Sequence, residues 1–184
     1  MVKQLLLFQT PVQYEYCFVF SPEDRIKSMV TSLKGLLNHR VKISKKDLNS
    51  IAHISLLKFR YRHKIDERII RLMNSMDSSK KNVILSLDGV DSFRHGNVSK
   101  SLYLKIKDYS AVKETYYTLL KIFGFKYRDI LPHVTLARSI QLNDFNIISE
   151  HLDEYDYKGE FTSELIVLRK TINGDYSNRY TRIY

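Results

Sequence analysis

Apolar residues recur at helical spacing in several stretches of the chain and gather into strand-like runs between them. Ile26, Met29, Val30, Leu33, Leu36 and Leu37 line one face of a helix predicted over 21–37. Ser21 suits its N-cap, Pro22 its first helical position, and Glu23 and Asp24 the positive end of its dipole. Ile65, Ile69, Leu72, Met73 and Met76 do the same for a helix over 64–76. A third helix is predicted over 109–124, ending at Gly124, and a short one over 142–153. Runs rich in aromatic and β-branched residues predict strands at 12–20, 51–61, 82–95, 98–108, 131–139, 158–172 and 179–184. "HGN" (95–97) reads as a hairpin turn, "NGDYS" (173–177) as a turn between the last two strands, and the polar stretch 38–50 as a loop.

Strands and helices mixed in this order predict an α+β chain. Strands 51–61 and 131–139 each follow a strand–helix pair, which suggests an old duplication into two similar lobes. No proline- or serine-rich linker separates the halves, so residues 1–184 read as one bilobal unit.

These two strands carry the same pattern, "HISL" at 53–56 and "HVTL" at 133–136. On a strand, residues two apart share a face. His53 and Ser55 therefore project together, as do His133 and Thr135, while Ile54, Leu56, Val134 and Leu136 point to a core. Two such units facing across a cleft would surround one phosphate, with hydroxyls on its non-bridging oxygens and imidazoles near the attacking and leaving oxygens. Displacement at phosphorus needs a proton removed on one side and delivered on the other. Imidazole, with a pKa near neutrality, serves both roles without a metal. A single such match carries little weight in a chain with 6 histidines, whereas two at equivalent points do. A zinc site on the same pair would need a third ligand, and no ligand-spaced cluster is visible. His39, His63, His95 and His151 match no motif and read as structural.

Composition narrows the partners. The net charge of +10 favours anions such as nucleic acid or nucleotides. Lone Cys17 permits no intrachain disulfide and fits a reducing cytoplasm, where a buried inert thiol is its plainest role. No secretory signal, bilayer-spanning stretch or glycine-rich phosphate loop is read in the sequence. "KFRYRHK" (58–64) interleaves basic and aromatic residues, as an RNA-contacting strip or a solvated edge would. Lys58 and Arg138 both stand five residues after a motif histidine. An odd offset sends them to the opposite face of a regular strand, unless a bulge rotates them back.

The paired H-φ-S/T-φ motifs, and the longer "PHVTLAR" above all, resemble the 2H phosphoesterases, the family of bacterial 2′-5′ RNA ligases and cyclic phosphodiesterases. The hairpin at 87–106 and the closing strands from 161 onward extend the resemblance over nearly the whole chain. It implies an α+β fold of two pseudo-symmetric lobes, with antiparallel sheets lining a central cleft and helices outside. It further implies catalysis by His53 and His133, phosphate binding by Ser55 and Thr135, and no cofactor. Arg138 and Lys58 are candidates for phosphate or ribose contact, and Phe93 and Tyr176 resemble aromatics near the family's cleft. The implied substrates are RNA ends or nucleotides with a 2′,3′-cyclic or 2′-5′ phosphodiester, opened to leave a 2′-phosphate or joined to a 5′-hydroxyl by a cytoplasmic, monomeric enzyme. Ser55 stands where threonine is commoner, and the proline that often precedes the first histidine is missing. Two rival readings are a catalytically silent RNA-binding module and a phosphodiesterase of a small non-RNA nucleotide.

Overall fold

The computed structural model describes residues 12–173, 176–177 and 179–184 of the protein. In chain order it runs β1 (Gln13–Pro22), α1 (Asp24–Arg40), α2 (Lys45–Leu48), β2 (Ile54–Tyr61), α3 (Asp66–Ser75) and α4 (Ser78–Lys81). Next come β3 (Asn82–His95), β4 (Ser99–Ile106), α5 (Ser110–Phe123), β5 (His133–Gln141), α6 (Leu142–Ser149) and a 3-10 turn (Leu152–Tyr155). The chain closes with β6 (Lys158–Asn173), β7 (Tyr176–Ser177) and β8 (Thr181–Arg182).

The strands of the two lobes join in one antiparallel sheet of order β2-β1-β6-β3-β4-β5, with β7 and β8 also paired to β6. The two sheets expected from the sequence are thus halves of one, because long β6 bridges them. Its Ser163–Ile172 stretch pairs β1, and its Lys158–Glu164 stretch pairs β3. β3 then shifts from β6 to β4 through a bulge containing Gly89. That residue has φ 83°, and a Cβ there would lie 2.2 Å from Asp156 Oδ1, which accepts the Val90 N–H at 2.7 Å. Glycine is the residue that fits.

Tyr16, Phe18 and Phe20 from β1, Ile26, Val30 and Leu37 from α1, and Val112 and Leu119 from α5 lie in one buried cluster with Ile54, Leu56, Val134 and Leu136. Each large side chain buried there contributes on the order of 1.5–3 kcal/mol. The helices cover that face of the sheet and leave the motif residues on the other.

Local signals were overridden where pairing was stronger. Ser21 and Pro22 do not start α1 but continue β1, opposite Glu164 and Ser163. Glu23 is the N-cap instead, anchored by its own N–H to the Thr162 carbonyl (3.0 Å) and by the Thr162 hydroxyl to its carboxylate (2.8 Å). α5 ends as expected, with Gly124 at φ 69° and the Phe125 N–H reaching the Leu120 carbonyl at 2.9 Å. The polar stretch read as a loop contains α2. "SKKD" closes on itself there: the Asp47 N–H donates to Ser44 Oγ (3.0 Å), and that hydroxyl donates to the Asp47 carboxylate (2.8 Å).

Candidate active site

β2 and β5, the two edges of the sheet order, approach each other to within 8 Å between Cα atoms. Each begins at its motif. Ile54, Val134 and Leu136 are fully buried and Leu56 nearly so, while Ser55 is exposed and His53, His133 and Thr135 are half-buried. The alternation required by the sequence pattern is therefore present in both strands.

The two histidines are held alike. His53 Nδ1 lies 2.8 Å from the carbonyl of Ile51, and His133 Nδ1 lies 2.8 Å from the carbonyl of Leu131. A carbonyl can only accept, so each Nδ1 carries a hydrogen and each Nε2 keeps the exchangeable position. Burial lowers both imidazole pKa values below the ordinary 6.5. For His53 the carbonyl bond opposes this, and the charges of Lys34, Arg138 and His133 lower it further.

The alternation breaks at the same point in both strands. Val19 pairs with Ser55 but Phe18 with Leu57, so Leu56 is an extra residue in β2. Tyr103 pairs with Thr135 but Leu102 with Ala137, so Leu136 is an extra residue in β5. Two consecutive residues, Leu56 and Leu57 or Leu136 and Ala137, then face the core. The residues directly after each bulge are rotated by one position, until a second irregularity in β5 between Ala137 and Ile140. Lys58 and Arg138 thereby join the face of the histidines, against the odd-offset rule for a regular strand. The signal was present in the sequence as paired apolar residues before each cation, "LLK" and "LAR".

Arg138 is fixed across the lobes. Its Nε and Nη2 each lie 2.7 Å from Asp47 Oδ1, and its backbone N–H donates to Oδ2 at 3.2 Å. Asp47 is buried. Burial raises its pKa, but the hydrogen bonds from Ser44 and Arg138 outweigh that and hold it below the usual carboxylate range. Lys58 instead turns along its strand to Glu15, 3.1 Å away.

Phe93 stacks on Tyr103 at 4.1 Å between ring centroids, and His133 packs 5.0 Å from each, edge-on to Phe93 and tilted against Tyr103. Tyr103 was not foreseen. Its pKa is pushed up to about 12 by burial and by the negative charge of Asp91. Nothing local marks it, since its place follows from its pairing with Thr135. Tyr176, the other expected aromatic, pairs with Asn173 through its backbone, and its side chain lies outside the described residues.

Lys34 was also missed. It is 1% exposed, and its ammonium donates to the Ser50 carbonyl (2.6 Å) and hydroxyl (2.7 Å), just ahead of His53. Burial brings its pKa down to about 8. Its place was readable, four residues after Val30 and three before Leu37 on the buried stripe of α1. Among the described residues, no group of three or more His, Cys, Asp or Glu is gathered as metal ligands would be. No helix among them is long and apolar enough to cross a membrane.

Comparison with known proteins gives the arrangement a family. The solved structure of Kluyveromyces marxianus Usb1 is similar with a TM-score of 0.49 and 13% sequence identity, over 91% of this chain and 96% of that one. A search of curated proteins finds no match. A family model described as the 2′-5′ RNA ligase superfamily matches residues 22–175, which take in both motifs and both bulged strands. The chain belongs to the 2′-5′ RNA ligase superfamily.

Proposed function

We propose that the protein is a phosphodiesterase of RNA or nucleotide ends, opening 2′,3′-cyclic phosphates or exchanging 2′-5′ linkages with His53 and His133 as general base and acid. The matched bond from each Nδ1 to the carbonyl two residues earlier carries this reading. It leaves two Nε2 atoms on one face beside two hydroxyls, where a binding module would have no use for them.

In hydrolysis, Ser55 and Thr135 hold the non-bridging oxygens. His53, kept neutral to lower pH by burial and by the charges of Lys34 and Arg138, takes a proton from water as its oxygen bonds to phosphorus. His133 delivers the proton on its Nε2 to the departing ribose 3′ oxygen as that bond breaks, leaving a 2′-phosphate. A 5′-hydroxyl in place of water gives a 2′-5′ linkage by the same transfers, and the reverse cleaves it. Arg138 supplies positive charge to the phosphorane, and Phe93 offers a ring face to a base. One bilobal unit does this, because β6 belongs to both halves of the sheet.

The test is turnover of 2′,3′-cyclic mononucleotides with EDTA present, followed by phosphorus NMR of the product. The expected result is a nucleoside 2′-phosphate. A 3′-phosphate would reverse the assigned leaving group, and no turnover of mononucleotide, cyclic-ended RNA or 2′-5′ oligonucleotide would remove the enzymatic reading.

A further inference from the structure

Beyond the bulge, the face of β2 that carries His53 and Ser55 continues as Lys58 and Arg60. β1 sets Cys17 opposite Lys58 and Glu15 opposite Arg60, and β6 sets Lys170 opposite Glu15. Glu15 is 2% exposed. Its Oε1 lies 3.1 Å from Lys58 Nζ, 3.0 Å from Lys170 Nζ and 2.5 Å from the Tyr180 hydroxyl, and its Oε2 accepts from Arg60 Nε at 3.0 Å. Lys170 Nζ also stands 5.1 Å from the centre of the Tyr180 ring.

One cation would neutralise a buried carboxylate, and three leave an excess of two positive charges. That excess faces outward. The side chains of Lys58 and Arg60 are 56% and 60% exposed. Arg60 engages Glu15 through Nε, and among the described residues its terminal nitrogens have no other partner. Glu15 therefore holds flexible side chains in place before any ligand arrives, which lowers the ordering cost of binding an anion. At about 3.3 Å per residue, Lys58 stands about 10 Å and Arg60 about 16 Å along the strand from Ser55. Those distances exceed the reach of a single cyclic phosphate seated at the histidines.

We propose that Glu15, Lys58, Arg60, Lys170 and Tyr180 form a second anion site that takes the backbone phosphates of a polynucleotide whose reactive end lies between the histidines. The inference rests on the function proposed above and narrows its substrate to an RNA strand several nucleotides long. Lys58, Arg60 and Lys170 contact phosphates, and the half-exposed ring of Tyr180 offers a stacking surface beside them.

The experiment measures binding, so that it stands apart from catalysis. His53→Ala protein is titrated into a fluorescent decaribonucleotide ending in a 2′,3′-cyclic phosphate, between 50 and 200 mM salt, by anisotropy. The same titration is run with R60Q and K170Q added to His53→Ala. Losing two phosphate contacts should flatten the slope of log K against log salt by about 1.4 and weaken binding about tenfold or more at low salt. In the His53-intact background, the R60Q/K170Q protein should lose kcat/KM on the decamer while keeping that on a cyclic mononucleotide within about twofold. If circular dichroism shows the double variant unfolded, R60Q alone, at an exposed side chain, should flatten the slope by about 0.7. An unchanged slope and affinity in a folded variant would overturn the second site. So would wild-type turnover equally efficient on mononucleotide and decamer, and that result would leave the proposed function standing. A histidine-independent result on every substrate would instead sink the function itself.

Discussion

At the scale of single residues, the two imidazoles are alike in what holds them and different in what surrounds them. Both are desolvated, which favours the neutral ring, so both titrate below 6.5. The base works above its pKa and the acid below its own. The profile of kcat/KM should therefore be a bell centred on the acid side of 6.5. A bound phosphate anion favours the imidazolium, so the profile of kcat should sit at higher pH than that of kcat/KM. Lys34 accounts for part of the difference between the rings. In K34M, proton NMR should show His53 titrating at higher pH than in the wild type, with His133 unmoved. An unmoved His53 would mean that Lys34 only packs. The histidines, hydroxyls and their facing were legible in the sequence because a period of two residues fixes them. Tyr103 was not, because its position depends on the register between β4 and β5.

Secondary-structure elements explain how cations on the wrong face of a regular strand reach the site. Each bulge adds one residue at the leucine of its motif and turns over the residues that directly follow. In β5 this brings Arg138 to Asp47, which α2 presents from the other lobe. The short helix stands on its Ser44 cap, so S44A should destabilise the fold by about 1 kcal/mol and let Asp47 move. Chemical denaturation measures the first effect. A fall in kcat of several-fold, with KM less changed, measures the second, and unaltered kcat would show that Arg138 does not depend on α2. "SKKD" could have revealed α2 from the sequence, but its surroundings are polar and the helix has one turn. The misplaced start of α1 has the opposite cause. Ser21 and Pro22 read as a helix entry locally, yet their conformation is set by pairing with Glu164 and Ser163 of β6, about 140 residues away.

The whole molecule joins two β-α-β lobes through β6, and the lobes meet where Arg138 bridges to Asp47. The likeness of the two halves was visible in the chain as two equivalent motifs. The joining of both sheets was not, since it needs the stagger of β3 at Gly89. Glu15 ties three strands through Lys58, Arg60 and Lys170. Burial pushes its pKa up, but the hydrogen bonds from Tyr180, Lys170, Arg60 and Lys58 win and bring it from 4.5 to about 2. A carboxylate depressed in the folded state stabilises fully above its ordinary pKa and loses that contribution as pH falls toward 2. E15Q should cost on the order of 3 kcal/mol in urea denaturation at pH 7, and the gap to wild type should close between about pH 4.5 and 2. A gap independent of pH would mean that shape, not charge, is what Glu15 supplies.

The central claim is that His53 and His133 form one acid–base pair. The most direct measurement is the pH profile of kcat/KM on a 2′,3′-cyclic nucleotide for the wild type, His53→Ala and His133→Ala. The account predicts a bell for the wild type, a loss of about 10²–10⁴-fold in each variant, and the disappearance of one limb in each. Variants that keep wild-type rates, or lose rate with both limbs intact, would contradict it.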